Sequence, residues 1–398
     1  MTKWLSVIGI GDDGVAGLAP RSRELLDQAK TVIASKRILQ NLQTSAHCET
    51  WPTPFDSLIS YIENEAERPV VVLATGDPLW FSVGEKLADT FSLEELEFST
   101  HPSCFQLAAA KMGWSMNSCT CLSIHGRPME FVAPHLAPNS RLLVIGSDPQ
   151  SAMELGSFLV SRGYGASKIF ALSHLGGEEE TIHSGTASNW SEETPSFHVL
   201  AVELMADENA LILPKSGGLP DRAFSHDGRM TKQVVRAVTL AKLLPSRGAL
   251  LWDIGAGCGS IAVEWMRSDI TAKAIALEPR EDRAKMISTN ANNLGVPELK
   301  IVEGAAPEEL ATLPDPDAVF IGGGLTPGTL EICRNRLNVL GRLVVNAVTL
   351  ESEAILLKAH ADFGGELVRI DVATADPVGQ MTGWRPNMPV TQWSWIKR

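Results

Sequence analysis

Short, mostly apolar runs alternate with helix-length segments along the whole chain, and this alternation restricts the possible folds more than any other feature. Each run has four to eight residues, as strands do when both faces of a sheet are covered. The pattern therefore predicts an α/β architecture with largely parallel sheets. The predicted strands are Leu5–Ile10, Thr31–Ala34, Val70–Ala74, Leu142–Ile145, Phe197–Leu204, Ala249–Ile254, Ala274–Leu277, Ala318–Ile321 and Arg342–Val345.

The length of the chain predicts more than one domain. It has 398 residues, which suggests two or three domains at about 150 residues each. The segment Met205–Pro220 holds two prolines and a pair of glycines, which makes it the best candidate linker. We therefore expect one domain over residues 1–208 and a second over residues 209–398.

Composition excludes several classes of protein. The 34 Lys and Arg against 47 Asp and Glu give a net charge of −13, and nucleic-acid binding needs clustered positive charge. No apolar run approaches the about 20 residues of a membrane span. Six scattered cysteines form neither a disulfide framework nor a zinc site. The chain is thus expected to be cytoplasmic, to bind no metal, and to contact neither nucleic acid nor membrane.

The stretch Asp253–Gly259 carries the most chemical information. It spells D-I-G-A-G-C-G between a predicted strand and a predicted helix, Ser260–Arg267. Glycines in such a turn let a ligand approach the backbone closely. The dinucleotide fingerprint G-x-G-x-x-G fails here, because its last glycine would fall on Ser260. The pattern instead suits S-adenosylmethionine (SAM), which has no pyrophosphate; a plain glycine-rich turn with a helix cap is the alternative.

Three later segments fit the same site. Glu278 ends the next predicted strand, 25 residues after Asp253, where a carboxylate can accept both ribose hydroxyls. Gly304–Pro307 follows the strand Lys300–Val302, where the adenine edge would lie. Asp317–Gly324 ends in glycines that would open onto the reacting group. An ordinary loop and a strand-to-helix turn explain these last two segments equally well.

A basic patch precedes this site. Thr231 is the predicted N-cap of a helix running to about Leu244, and Lys232 and Arg236 are four residues apart, so they would share one helix face. Arg229 lies just before the cap. In an acidic chain these three charges would suit an anionic substrate; a solvated helix face is the alternative.

The N-terminal half has a second glycine-rich segment, Gly9–Gly14, into which the first strand runs. It matches G-x-G-x-x-G, but Asp12 and Asp13 would repel a pyrophosphate. Arg37 after the second strand could bind the phosphate of NADP, so an NADP site stays open as an alternative.

The remaining motifs are less specific from the residues alone. Thr75–Pro78 follows a strand, and His101–Gly113 has the pattern of a capped helix. His125 and Arg127 lie in Ser123–Arg127, where a structural histidine and a surface charge are the plain interpretations.

Together these motifs resemble one family, the fused precorrin-6Y C5,15-methyltransferases (decarboxylating) of cobalamin biosynthesis. Residues 1–205 resemble the tetrapyrrole methylases through Val7–Asp12, Thr75–Pro78, His101–Cys104 and Ser123–Arg127. Residues 212–398 resemble the class I decarboxylating partner through Gly218–Asp221, Met230–Lys232, Val235–Ala237, Asp253–Gly259, Phe320–Gly323 and Asn346–Leu350. The chain departs from the pattern at Ala305, where the family has Asp, and at Leu79 and Trp80, where it has small residues.

The resemblance implies a fold, a pair of cofactors and a set of site residues. The fold is a two-lobed tetrapyrrole-methylase (class III) domain followed by a Rossmann-like class I domain, each with one SAM. Cofactor-binding residues would be Gly9, Gly11, Gly76, Asp77, Pro78, Thr231, Asp253, Gly255, Ala256, Gly257, Cys258, Gly259, Glu278 and Ala306. Substrate-binding residues would be Arg127, Arg229, Lys232, Arg236, Gly322 and Gly323. The candidate general bases are His125, His226 and Asp227.

The implied reaction is a double methylation of a precorrin, a tetrapyrrole, in a homo-oligomer. The N-terminal domain would methylate C5, and the C-terminal domain would methylate C15 and decarboxylate the acetate side chain on ring C. Two alternatives remain from the residues. One is an NADP-dependent oxidoreductase fused to a methyltransferase, and the other is a non-catalytic SAM-binding protein.

Overall fold

The computed structural model describes residues 3–398 and divides them into two compact units. The first unit runs to Met129 and continues over Ala137–Leu211. The second comprises Glu130–Leu136 and Ile212–Arg398. Among the described residues, no helix combines the length and apolarity that crossing a bilayer requires.

The first unit contains two five-stranded sheets and six α-helices. Its strands are β1 (Leu5–Ile10), β2 (Thr31–Ala34), β3 (His47–Thr50), β4 (Val70–Thr75), β5 (Leu96–Ser99), β6 (Cys119–Ser123), β7 (Arg141–Ile145), β8 (Lys168–Ser173), β9 (Thr181–Thr186) and β10 (His198–Glu203). Its helices are α1 (Pro20–Asp27), α2 (Lys36–Gln40), α3 (Leu58–Asn64), α4 (Val83–Thr90), α5 (Cys104–Met112) and α6 (Ser151–Ser161).

The first sheet is parallel throughout and has the strand order β3-β2-β4-β1-β5. β1 is buried along its whole length because helices cover both faces of the sheet. Leu5 and Val7 pack into the apolar cluster on one face, and Ile8 and Ile10 pack into the cluster on the other. Helix α5 begins at a capping box, in which Ser103 and Gln106 satisfy each other's backbone N–H groups.

The second sheet corrects the expectation of largely parallel pairing. Its order is β6-β7-β10-β8-β9, and only β6 and β7 run parallel. β8 and β9 are joined by a short connection rather than by a crossover helix, and such a connection produces antiparallel neighbours. Periodicity within a strand gives no information about the direction of its partner.

The second unit is built on one seven-stranded sheet with helices on its faces. Its strands are β11 (Leu250–Ile254), β12 (Lys273–Leu277), β13 (Lys300–Val302), β14 (Ala318–Ile321), β15 (Arg342–Ala347), β16 (Glu366–Ile370), β17 (Ala373–Val378), β18 (Met381–Pro386) and β19 (Val390–Ile396). Its helices are α7 (Gln233–Leu243), α8 (Ser260–Ser268), α9 (Glu281–Asn293), α10 (Pro327–Arg336) and α11 (Leu350–Phe363).

The order β13-β12-β11-β14-β15-β19-β16 places β11 where the chain switches from one side of the sheet to the other. The first five strands in this order are parallel, β19 pairs antiparallel with β15, and β16 pairs antiparallel with β19. Ligands of such open sheets bind at the carboxyl ends of the strands that flank the switch. β17 and β18 form a separate two-stranded hairpin.

Both units are α/β, which confirms the predicted fold class. β1, β2, β13 and β14 have the predicted bounds, and the other predicted strands differ by a residue or two at an end. The strands that the sequence analysis missed include β3, β9, β17 and β18, whose residues are mostly exposed and so lack an apolar run. It also missed β8 and β19, which are largely buried.

Candidate functional sites

A turn at the end of β11 forms the centre of the candidate site in the second unit. Gly255, Gly257 and Gly259 all have positive φ, between +61° and +77°, a conformation that a side chain disfavours. Gly259 is the N-cap of α8, and a Cβ there would lie 2.8 Å from the side chain of Ile287. The turn thus brings three glycines in left-handed backbone to the carboxyl edge of the sheet.

Two buried carboxylates flank this turn. Asp253 is 1% exposed; its Oδ2 accepts a hydrogen bond from Ala262 N at 3.0 Å. Glu278, at the end of the neighbouring strand, is 2% exposed, and its Oε2 accepts from Gly257 N at 2.8 Å. Within residues 3–398, Asp253 Oδ1 is buried without a hydrogen-bond partner. Burial raises the pKa of Asp253 to about 7, so a cationic or hydrogen-bond-donating ligand would stabilise its ionised form.

Other residues that were predicted to bind the cofactor or the substrate lie at or beside the same turn. Ala256 N donates to Leu277 O at 3.0 Å, and Gly322 N and Gly323 N donate to Ile254 O at 2.9 and 3.3 Å. Cys258 is buried, which raises the pKa of its thiol and makes it a poor nucleophile. Ala306 is half-buried and packs against the apolar cluster of β11 and β12.

The predicted helix start at Thr231 is wrong by one residue. Helix α7 begins at Gln233, its N-cap is Lys232, and no side chain caps it. The Thr231 carbonyl instead accepts a hydrogen bond from Arg236 Nη1 at 2.5 Å. Thr231 nevertheless belongs to the loop that lies next to the glycine turn. The closeness of loop and turn is shown by Arg229, whose carbonyl oxygen would lie 3.7 Å from a Cβ on Gly257.

The structure separates the three charges of the predicted basic patch. Arg229 and Lys232 are exposed, whereas Arg236 is 0% exposed. Arg236 pairs with the buried carboxylate of Glu264 and with Asp221, and it also donates to Leu219 O. The prediction that Arg236 binds substrate is therefore corrected, since its guanidinium is committed to the interior. Glu264 was missed, although a lone acid in the apolar helix segment Ile261–Trp265 could have indicated a buried partner.

The predicted bases are not in buried positions. Asp227 Oδ2 accepts from Arg283 Nε and Nη2 at 3.0 and 2.8 Å, and its Oδ1 accepts from Arg229 N at 3.0 Å. These hydrogen bonds, first the one from the Arg229 backbone, lower the pKa of Asp227, which weakens it as a base. His125 is exposed in a turn of the first unit.

Three loops meet at the candidate site of the first unit. A Cβ on Gly9 would lie 2.2 Å from the Gly76 carbonyl oxygen and 2.8 Å from His101 Cβ, so only glycine fits there. Gly11 also lies against His101, and Gly76 lies against Ser103, the N-cap of α5. Asp77 and Pro78 continue the same loop, where Asp77 Oδ1 accepts from Leu79 N at 2.8 Å. His101 was quoted only within a motif and is placed at the site by the structure.

Arg37, the residue that the NADP alternative depends on, already has partners within this unit. It pairs with Asp12, donates to Thr75 Oγ1 at 3.3 Å, and lies 3.9 Å over the ring of Phe197. His174 Nδ1 contacts Asp12 Oδ2 at 2.9 Å. Because this arginine already has a carboxylate partner, the NADP interpretation is not supported. Arg127 is exposed, with its guanidinium 5.3 Å from the ring of Phe81.

Comparison with known proteins gives two family matches and several named relatives. Residues 5–190 match the tetrapyrrole (corrin/porphyrin) methylases, and residues 222–397 match the precorrin methyltransferase domain. A Sinorhizobium protein named as a decarboxylating precorrin-6Y C(5,15)-methyltransferase is 45% identical over 100% of this chain and 97% of its own length.

Two shorter relatives each match less than half of the chain. A protein of Pyrobaculum calidifontis, named as a probable cobalt-precorrin-6B C(15)-methyltransferase (decarboxylating), is 35% identical over 42% of this chain and 88% of its own length. A Salmonella typhimurium protein named as a cobalt-precorrin-7 C(5)-methyltransferase is 29% identical over 45% of this chain and 89% of its own length. With its full length aligned to the Sinorhizobium relative and both halves matched by family models, the chain belongs to the family of decarboxylating precorrin-6Y C(5,15)-methyltransferases.

Proposed function

We propose that this chain uses SAM to methylate a precorrin at C5 and at C15 and removes the carboxyl group of the ring C acetate side chain, in the biosynthesis of the corrin ring of cobalamin. Family membership over the full length supports the activity. The observation that carries it is the Asp253–Gly259 turn, where a backbone cradle lies between two buried carboxylates.

The two methylations are divided between the two halves of the chain, with residues 1–208 acting on C5 and residues 209–398 acting on C15. Two findings support this division. The halves match different family models, and two shorter relatives are named for one methylation each.

One SAM binds in the second unit, at the carboxyl ends of β11 and β12. The residues fit this cofactor, because the buried, unpartnered Asp253 Oδ1 and the Glu278 carboxylate can receive its polar groups. The residues around it are Thr231, Ala256, Cys258, Gly259 and Ala306. A second SAM binds in the first unit at Gly9, Gly11 and Gly76–Pro78, where three loops meet.

The precorrin carries several carboxylates, which Arg229 and Lys232 in the second unit and Arg127 in the first can bind, since all three are exposed. Gly322 and Gly323 leave space beside the turn for the reacting carbon. Bound SAM supplies a methyl group that its sulfonium already activates. The chain has to hold a nucleophilic carbon in line with that methyl, which is a proximity effect.

Neither step needs an oxidant or a reductant, because the atoms and electrons balance among SAM, the substrate and protons. Methyl transfer forms a carbon–carbon bond while the carbon–sulfur electron pair stays on sulfur, and the methylated carbon then loses a proton. Decarboxylation releases CO₂ and leaves an electron pair in the conjugated macrocycle, which a proton then quenches. His125 remains the candidate base in the first unit. Asp227 is the weaker candidate in the second, because its ion pair with Arg283 lowers its pKa.

Mass spectrometry of the product tests the proposal. Incubation of the full chain with precorrin-6B and SAM labelled in its methyl group should add two labelled methyl groups and remove one CO₂. Calorimetry with S-adenosylhomocysteine should give a stoichiometry near two per chain. A product with one methyl group, together with a stoichiometry of one, would contradict the assignment of a working site to each half.

We also propose that the chain is a cytoplasmic homo-oligomer. The β17–β18 hairpin supports self-association, since it exposes Val378, Met381 and Trp384 by 63%, 78% and 77%, and an isolated two-stranded hairpin is marginally stable in water. Light scattering should give a mass of several chains, and Trp384→Ser should lower it. A parent mass of one chain would refute the oligomer, and recovery outside the cytosolic fraction would refute the location.

A further inference from the structure

The 224–231 loop crosses the glycine turn of the second unit and is anchored at both ends. Phe224 and Met230 are buried in the same apolar cluster as Cys258 and Ile287. Between them, residues 225–229 are exposed. The loop therefore has fixed ends and a solvent-facing middle that carries Arg229, a proposed contact for substrate carboxylates.

Helix α9 lies against both the loop and the turn. Arg283, Ile287 and Asn290 are spaced i, i+4 and i+7, so they share one face of the helix. Arg283 pairs with Asp227 of the loop. Ile287 packs where a Cβ on Gly259 would lie, 2.8 Å from its side chain.

Asn290 hydrogen-bonds both to the backbone of the 224–231 loop and to the backbone of the glycine turn. Its Oδ1 accepts from Ser225 N at 2.7 Å, and its Nδ2 donates to Ser225 O at 2.9 Å and to Cys258 O at 2.8 Å. The side chain is 1% exposed. Both amide hydrogens and the oxygen are used, and only this orientation of the carboxamide satisfies one donor and two acceptors.

We propose that Asn290 is a positioning residue that couples the methyl-donor turn to the substrate side of the 224–231 loop. This inference rests on the proposed SAM site of the second unit. A ligand that orders the turn at Gly257 and Cys258 fixes the Cys258 carbonyl, which fixes the Asn290 carboxamide and, through it, Ser225 and the loop. Coupling of this kind is reciprocal, so substrate bound to the loop favours SAM on the turn by the same factor.

Amide hydrogen exchange of the full chain, with and without S-adenosylhomocysteine, measures this coupling. In the parent, the ligand should slow exchange about tenfold in peptides from 253–259 and also in peptides from 224–231. In Asn290→Leu, protection of 253–259 should persist while protection of 224–231 disappears. The Michaelis constant for the precorrin in C15 methylation should rise about tenfold, with little change in kcat.

Asn293→Leu is the matched control, since Asn293 lies on the same helix but is exposed, and it should behave like the parent. If Asn290→Leu does not fold, Asn290→Asp decides, because it keeps the volume and the acceptor oxygen but removes both donors. Undiminished ligand protection of 224–231 in the folded variant overturns the coupling. Absence of protection at 253–259 in the parent would instead mean that the proposed SAM site itself is wrong.

Discussion

The two glycine-rich segments share the spacing G-x-G at the end of the first strand of a sheet, yet the reasons for glycine differ between them. In the second unit Gly255, Gly257 and Gly259 all adopt positive φ, so the requirement there is conformational, with a clash in addition at Gly255 and Gly259. In the first unit the requirement at Gly9 is space, because a Cβ would meet the Gly76 carbonyl oxygen at 2.2 Å. The same short motif therefore does not by itself specify a backbone conformation.

The charged groups beside the two turns differ as well. Asp253 and Glu278 are buried and accept hydrogen bonds from backbone N–H groups. Asp12 is partly exposed and contacts Arg37 and His174. A buried carboxylate that forms no ion pair is available for a ligand, whereas one that already pairs with an arginine contributes to structure.

The largest difference between the two units is expected when one arginine is removed from each. Arg236→Gln should destabilise the chain by about 3–5 kcal/mol, because it leaves the buried Glu264 carboxylate without its partner. Arg37→Gln should cost about 1 kcal/mol or less, since its side chain is 34% exposed. Urea unfolding measures both. Full stability of Arg236→Gln, with loss of precorrin binding alone, would return Arg236 to the substrate site.

Alanine substitutions at three glycines separate the cost of a left-handed backbone from the cost of a steric clash. Gly259→Ala should cost about 2–4 kcal/mol, because left-handed backbone and a clash with Ile287 add together. Gly9→Ala should cost about 1–3 kcal/mol from the clash alone. Gly14 has a φ of +62° and open space around it, so Gly14→Ala should cost about 1 kcal/mol. Equal losses at all three positions in thermal unfolding would contradict the distinction.

Removal of Glu278, the proposed ribose partner, should affect only one methylation. Glu278→Ala should weaken SAM binding in the second unit about tenfold to a hundredfold, or about 1.5–3 kcal/mol, and reduce C15 methylation while C5 methylation continues. Product masses separate the two outcomes. Glu281→Ala, an exposed neighbour at the start of α9, is the control. Equal loss of both methylations would show that the two sites depend on each other.

The smallest expected change in ligand affinity concerns pH. The pKa of Asp253 is raised in the folded chain to about 7, so the folded state holds a proton that the unfolded state has lost, and stability without ligand falls as pH rises from about 4 to 7. A cationic ligand favours the ionised form, so SAM affinity in the second unit should rise about tenfold between about pH 6 and pH 8. Calorimetry of Asp253→Asn should show no such rise.

Much of the fold followed from local sequence pattern. Strands buried on both faces, such as β1 and β14, are apolar along their length and were predicted to the residue. Exposed strands such as β17 and β18 have no such run and were missed. The antiparallel pairing of β10 with β7 and β8 depends on how distant segments meet, which periodicity does not encode.

The sequence by itself determined that the chain is α/β, that Asp253–Gly259 joins a strand to a helix through a glycine-rich turn, and which family it resembles, because each of these can be recognised in short segments of the chain. Only the tertiary structure decided which charged side chains form buried ion pairs and which stay exposed. Arg236 was predicted to bind substrate because it lies four residues after Lys232 on one helix face, but Glu264, 28 residues away, pairs with it in the interior. The residues around Asn290 in the sequence do not indicate its role. That role depends on hydrogen bonds to Ser225 and Cys258, which only folding brings next to Asn290.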